Sequence, residues 1–167
     1  MKKMTEKSLR EAFAGESQAH MKYLAFADQA EKEGLKDVAR LFRAIAFAEQ
    51  VHATNHLKEL GDVKATKDNL HAAREGENFE IEEMYPAYKA IAELQNEKGA
   101  QRSIDFALAA EKLHRELYDS TKEKVEKGEN PKLDKISICP VCGYTVVGEA
   151  PEKCPVCGAP KSMFKEF

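Results

Sequence analysis

Apolar residues recur at helical spacing through most of the first 127 positions, as in Leu9, Phe13, Met21, Leu24 and Ala27. Proline does not occur before Pro86, and Ala, Glu, Lys and Leu, all good helix formers, dominate. The pattern predicts four long helices over residues 5–33, 36–60, 79–97 and 100–127, ended at Gly34, Gly61, Gly99 and Gly128. Residues 62–78 are polar and predict a connection with a short helix around 69–75. Residues 128–135 hold Gly, Asn and Pro and read as a linker. Beyond it the texture changes: Ile136, Ile138, Val146 and Val147 are β-branched, and Pro and Gly punctuate every few residues. The fold class expected is mainly α: an antiparallel four-helix bundle (domain 1–130) followed by a small β/loop module (domain 131–167).

The helical part repeats itself weakly. Ala46-Phe-Ala-Glu49-Gln-Val-His52 resembles Ala109-Ala-Glu111-Lys-Leu-His114, and each follows a helix with a candidate inward glutamate, Glu16 or Glu80. Residues three apart share a helix face about 4.5 Å apart in rise, so each Glu-x-x-His pair can converge on one ion. A single such pair usually lies on a solvated surface. Two copies, preceded by Ala44-Ile-Ala-Phe-Ala48 and Phe106-Ala-Leu-Ala-Ala110, are expected to point inward. Glu16 lies 18 residues before Gly34 and Glu49 15 after it, so a hairpin folded there brings both to one height. One Glu from each of two helices and Glu-x-x-His from each of the others is the ligand pattern of di-iron carboxylate bundles. Glu83 adds a carboxylate on the face of Glu80. Five glutamates carry about five negative charges, which apolar walls do not tolerate without metal. Glutamate and imidazole donors suit iron or manganese. Tyr23 and Tyr88 either hydrogen-bond a ligand carboxylate or fill the core. His20, His56 and His71 lack counterparts in the other half and are expected at the surface.

All four cysteines fall in two knuckles, Cys139-Pro-Val-Cys142-Gly and Cys154-Pro-Val-Cys157-Gly. Each spacing turns both sulfurs toward one point. The glycine after the second cysteine permits φ > 0, so that backbone N–H groups can face the thiolates. Together they make a tetrahedral S4 site for iron or zinc, between which the sequence does not choose. The module is too small for a self-sufficient core, so metal binding must supply much of its folding free energy.

The chain has 167 residues, 33% of them charged, with a formal net charge of −3 and no basic block, which argues against a nucleic-acid partner. No apolar run approaches a membrane span, and the basic first residues lead into Glu11 and Glu16, so a cytoplasmic location is expected.

With Phe13-Ala-Gly-Glu16-Ser-Gln-Ala-His20, Glu49-Gln-Val-His52, Gly76-Glu-Asn-Phe-Glu80-Ile-Glu-Glu83-Met-Tyr-Pro86, Glu111-Lys-Leu-His114 and the two knuckles, the chain resembles the rubrerythrins over nearly its whole length. The resemblance implies a ferritin-like di-iron bundle fused to a rubredoxin-like domain. It implies two non-haem irons per chain on Glu16, Glu49, His52, Glu80, Glu83, Glu111 and His114, with His52 and Glu83 exchanging as ligands on redox change. A third iron is implied on Cys139, Cys142, Cys154 and Cys157. Tyr23 and Tyr88 match the family's tyrosines beside the ligands, and with Glu83 they are the candidate catalytic residues. The activity implied is peroxidase: hydrogen peroxide reduced to water with electrons from NAD(P)H through a rubredoxin reductase, a rubredoxin, or both, protecting cells from oxidative stress. A homodimer or higher oligomer is implied, the cysteine module of one chain facing the bundle of another, and the connection at 62–78 also permits exchange of helix pairs. Two other readings compete: a ferroxidase or iron-handling protein using O2, and a non-enzymatic zinc-ribbon interaction protein.

Overall fold

Two long helices, α1 (Lys3–Lys32) and α2 (Lys36–Glu59), form an antiparallel hairpin in a computed structural model that describes residues 1–167. Gly34 at φ 79° closes α1, and the Leu35 N–H reaches back 2.9 Å to the Ala30 carbonyl. The two helices meet along alanines: Ala27 and Ala30 on α1, and Ala39, Ala46 and Ala53 seven apart on α2, are the buried residues of the pair. Small side chains let the backbones approach closely enough for His20 Nδ1 to lie 2.8 Å from the Ala46 carbonyl. His20, expected at the surface, is thus a half-buried strut between the helices. Tyr23, Phe26 and Phe42 form an aromatic cluster across the pair, tilted or edge-on with centroids 5.6–6.2 Å apart. Arg43 ties α2 to α1 through Glu31 at 2.8 Å. Phe47, Met21 and Leu41 remain 65%, 61% and 59% exposed, and Ile45 is exposed as well, although the run before Glu49 reads as inward-facing.

The chain divides into two compact units, Met1–Lys64 and Ala65–Phe167. The second begins with α3 (Thr66–Phe79), which passes through one π-helical turn (Glu80–Met84) into α4 (Tyr85–Leu94) and then α5 (Lys98–Glu126). Helix therefore begins at Thr66, where the sequence pattern predicts a polar connection with only a short helix. The reason is the chemistry of the buried stripe. Asn69, Leu70, Ala73, Arg74, Glu77 and Asn78 are the half-covered positions, at helical spacing, and most of them are polar. Arg74 binds Asp119 at 3.1 Å and Asn78 accepts from Arg115 at 3.1 Å, both on α5. Hydrophobic periodicity does not register a face held by ion pairs. Asn96, at φ 58°, ends α4 in place of the predicted Gly99, which lies inside α5. Pro86, which donates no N–H, comes directly after the widened turn.

After the linker, β1 (Ile136–Ile138) pairs antiparallel with β2 (Thr145–Val147) on one side and β3 (Lys165–Glu166) on the other. Ser137, fully buried on β1, donates to the Gly148 carbonyl at 2.9 Å. This module seats on α5 of its own chain. Phe106 packs against the cysteine cluster, and a Cβ at Gly143 would come 3.6 Å from that of Ala110. No helix is long and apolar enough to cross a membrane. The architecture, mainly α with a small rubredoxin-like β module after it, is that expected from the sequence.

Candidate metal centres

Three clusters of ligand-type side chains converge. The first joins all four cysteines. Cys139 Sγ lies 3.5 Å from Cys157 Sγ, and Cys142 Sγ 3.5 Å from Cys154 Sγ, each contact crossing from one knuckle to the other. These separations are too long for disulfides at ~2.05 Å and close to the ~3.8 Å edge of a tetrahedron with metal–sulfur bonds of ~2.3 Å. Gly143 and Gly158 take φ 78° and 77°, as the knuckle pattern requires. Backbone N–H groups then face the sulfurs: Tyr144 toward Cys142, Ala159 toward Cys157, and Val156 with Cys157 toward Cys154. Burial pushes the Cys142 thiol up. At Cys154 burial also acts upward, but the two N–H donors outweigh it and bring the thiol down to about 7. Four sulfurs at this spacing, with backbone N–H groups turned toward them, suit a thiolate cage for a cation.

The second cluster, in the first unit, is Glu16 on α1 with Glu49 and His52 on α2. Glu49 Oε2 lies 3.0 Å from His52 Nδ1; the glutamate is largely covered and the histidine half-exposed.

The third, in the second unit, is Glu77 on α3 with Glu111 and His114 on α5. Glu111 Oε2 is 2.7 Å from His114 Nδ1, and Glu77 Oε2 is 3.9 Å from the same nitrogen. The hydrogen bond to His114 holds the Glu111 carboxyl below its ordinary range, and the same bond raises His114. Glu77 is pushed up to about 7, first by burial and then by its hydrogen bond to Glu111 and that group's charge. Its Oε2 is buried without a hydrogen-bond partner. A carboxylate oxygen left bare beside a second carboxylate and an imidazole is a donor set lacking a cation, so these residues fit a metal.

Not all the sequence-predicted site residues come together. Glu16, Glu49 and His52 converge, as do Glu111 and His114, but the carboxylate nearest that second pair is Glu77 rather than Glu80. Glu80 lies beside them, raised first by burial and then by the charge of Glu111. Glu83, in the π-helical turn, is exposed. Tyr23 sits in the α1–α2 aromatic cluster, and Tyr88 is 52% exposed. The tyrosines that feel the third cluster are Tyr85 and Tyr118, both raised by burial and then by the neighbouring glutamates. Glu77, Tyr85 and Tyr118 escape sequence reasoning. The signal for Glu77 is its spacing of three from Glu80, visible once the helix is begun at Thr66. The π turn, one residue longer than an α turn, rotates α4 about the helix axis relative to Glu77.

His114 also looks the other way. Its Nε2 lies 2.9 Å from Thr145 Oγ1 on β2, and that hydroxyl donates to the Gly143 carbonyl at 2.9 Å. The carboxylate–imidazole cluster and the cysteine cluster are therefore joined by hydrogen bonds within one compact unit.

Comparison with known proteins agrees with this inventory. Residues 7–122 match the family model for rubrerythrin, and residues 138–165 match that for the rubrerythrin rubredoxin-like domain. Rubrerythrin-2 of Clostridium acetobutylicum is 40% identical, with 98% of this chain and 97% of that protein covered. Nigerythrin of Nitratidesulfovibrio vulgaris is 36% identical over 98% of this chain and 86% of its own. A nigerythrin structure in a partially reduced state matches with a TM-score of 0.58 at 34% identity, covering 98% of this chain and 86% of that one. The family's cofactor set, a di-iron site and a rubredoxin-like four-cysteine site, corresponds to the carboxylate–histidine and cysteine clusters described above. The chain belongs to the rubrerythrin family of di-iron oxidoreductases associated with oxidative stress.

Proposed function

We propose that the protein is a non-haem di-iron peroxidase that reduces hydrogen peroxide to water, H2O2 + 2H+ + 2e− → 2H2O. Electrons reach it from NAD(P)H through a rubredoxin, a rubredoxin reductase, or both, in the cytoplasm. The domains are 1–130 for the di-iron chemistry and 131–167 for electron entry. The observation that carries this reading is the hydrogen-bonded adjacency of a Glu–Glu–His cluster and a four-thiolate cluster in one unit. A storage or zinc-ribbon role has no use for that link. Glu16, Glu49, His52, Glu80, Glu83, Glu111 and His114, joined by Glu77, would hold the two irons, which when bound would supply the two electrons needed to cleave the O–O bond. Burial pushes the Glu77 carboxyl up while the hydrogen bond to His114 holds that of Glu111 down, so the two ligand carboxylates differ in how readily they take a proton. Exposed Glu83 carries protons between solvent and the site; Tyr23 and Tyr88 are the hydroxyl donors that the family resemblance implies, while Tyr85 and Tyr118 are the tyrosines that feel the carboxylates here.

Anaerobic, fully reduced protein mixed with H2O2 and separately with O2 tests the reaction by stopped-flow absorbance. Faster oxidation by peroxide is expected; faster oxidation by O2 overturns the reading in favour of a ferroxidase. Glu83→Ala is expected to keep its iron, counted per chain by metal analysis, and to lose about 10²-fold in peroxide turnover, the scale of a lost proton carrier. Unchanged turnover removes Glu83 from the mechanism.

The assembly we propose is a homodimer with exchanged helix pairs. Residues 60–65, which join α2 to α3, are far fewer than the predicted 62–78 connection. Their reach of about 20–25 Å is shorter than α2 itself at about 36 Å, so the chain does not return along α2 before α3 begins. The Glu16–Glu49–His52 and Glu77–Glu111–His114 clusters are each half of one ligand set. Leu41 and Ile45, exposed and four residues apart on the helix face that carries Glu49 and His52, offer the apolar surface that a second copy would cover.

A further inference from the structure

Thr145 has no part in the sequence reading. It is 5% exposed, on β2, and its hydroxyl has two partners: the Gly143 carbonyl at 2.9 Å and His114 Nε2 at 2.9 Å. The carbonyl can only accept, so the single hydroxyl hydrogen is committed to Gly143. Toward His114 the oxygen can then only accept, which places a proton on Nε2. In neutral His114 the lone pair is consequently on Nδ1, the nitrogen that shares its cluster with Glu77 and Glu111. Imidazole ligands depend on such an acceptor to fix tautomer and ring orientation. Here the acceptor belongs to the cysteine module. Gly143 comes directly after Cys142 and bonds its own N–H to the Cys139 carbonyl at 2.9 Å. The contact sits at the edge of a cleft of about 380 Å³ lined by Leu117, Ile136, Ile138 and Val147 and by the hydroxyl residues Tyr118 and Thr121, but only Thr145 makes a hydrogen bond to Nε2.

We propose that Thr145 is a positioning residue with two linked duties: it sets His114 Nδ1 toward the metal, and it bridges the Cys142 knuckle to His114 within a single chain. The bridge runs from the Gly143 carbonyl to the Thr145 hydroxyl to the His114 ring. With iron in both sites, an electron passed along it would oxidise a cysteine-bound Fe2+ to Fe3+ and reduce one carboxylate-bound Fe3+ to Fe2+, with no bond made or broken in the bridge. The inference rests on the reading of Glu77, Glu111 and His114 as metal ligands.

Thr145→Val keeps the shape and β-propensity of the side chain and removes the hydroxyl; Thr145→Ser keeps the hydroxyl. In full-length protein whose four-cysteine site is filled with iron, Co(II) is titrated into the carboxylate–histidine sites and followed by its visible absorption. Separately, the iron-loaded, fully reduced protein is mixed with H2O2, and reoxidation of the cysteine-bound iron is timed by its own charge-transfer band. Thr145→Val is expected to weaken Co(II) binding about 10–100-fold and to slow that reoxidation by at least about 10-fold, with Thr145→Ser close to the starting protein in both. An intact cysteine–iron spectrum in each variant shows that the module is folded. If Thr145→Val binds Co(II) and reoxidises its cysteine-bound iron as the starting protein does, Thr145 has neither duty. If the starting protein itself fails to bind Co(II), the metal-ligand reading falls, and this inference with it.

Discussion

Chelation of the cysteine-bound metal under reducing conditions is expected to unfold the C-terminal module while α1 and α2 stay folded. Hydrogen exchange monitored by mass spectrometry should show amide protection across residues 136–167 falling by about 10²-fold or more, with the α1–α2 hairpin unchanged. The cause is the composition of the module's interior. Its buried residues are Cys139, Cys142, Cys154, Ala150, Ala159, Ser137 and Thr145. None is a large hydrocarbon, and the aromatic packing on the cluster comes from half-covered Tyr144 and Phe164, with Phe106 reaching in from α5. The strands contribute only three, three and two residues. Structural metal sites of this size supply about 10–16 kcal/mol, against which the remaining contacts are minor. Loss of the metal also leaves four sulfurs side by side, three of them buried, with no cation to hold them together. Unchanged protection after verified metal removal would show that the strands and Phe106 hold the module alone. Unfolding should also take Thr145 from His114, so the chelated protein is expected to show the weakened Co(II) binding predicted for Thr145→Val.

A feature is legible in the sequence when the force that holds it leaves a local pattern. The knuckles are legible because two sulfurs and a glycine at fixed spacing leave little choice of backbone, and Gly143 and Gly158 do adopt φ > 0. α1, α2 and α5 are legible because helix-forming residues run unbroken between stop signals. α3 is not, because the face it lays on α5 is made of Arg74, Glu77 and Asn78, whose partners Asp119, Glu111 and Arg115 are distant in sequence. Missing α3 hides Glu77, which becomes a ligand candidate only when 77, 80 and 83 lie on one continuous helical segment. The π turn is invisible because it depends on backbone bonding around Pro86 rather than on pattern. His20 looks like a surface residue because its partner is a main-chain carbonyl, at Ala46, that carries no sequence signature. Ile45 and Phe47 read as core because helix periodicity marks an apolar face without saying what covers it.

That uncovered face leads to the last expected result: two inactive variants should restore one another. Glu49→Ala breaks the cluster on α1–α2, and Glu111→Ala breaks the cluster on α3–α5. Each alone is expected to cost at least about 100-fold in peroxide turnover, as loss of a direct ligand should exceed loss of a residue behind one. Coexpressed with two different affinity tags, the mixed dimer can be isolated from both parents. With helix pairs exchanged, one site of the mixed dimer combines Glu49→Ala with Glu111→Ala and is doubly broken. The other combines the intact α1–α2 pair of one copy with the intact α3–α5 segment of its partner. The mixed dimer should therefore recover about half of the wild-type turnover, because the two sites of a twofold assembly act independently. Without exchange every site carries one lesion, and the mixed dimer stays as inactive as its parents. Metal content separates the two cases independently of turnover: iron per mixed dimer rises by one complete carboxylate site in the first and not in the second. The substitutions remove partly covered carboxylates from helix surfaces and leave the alanine seam of Ala39, Ala46 and Ala53 intact, so both variants should fold. A correctly mixed, iron-replete dimer without recovery would place each di-iron site within a single chain and remove the need for a partner at Leu41 and Ile45.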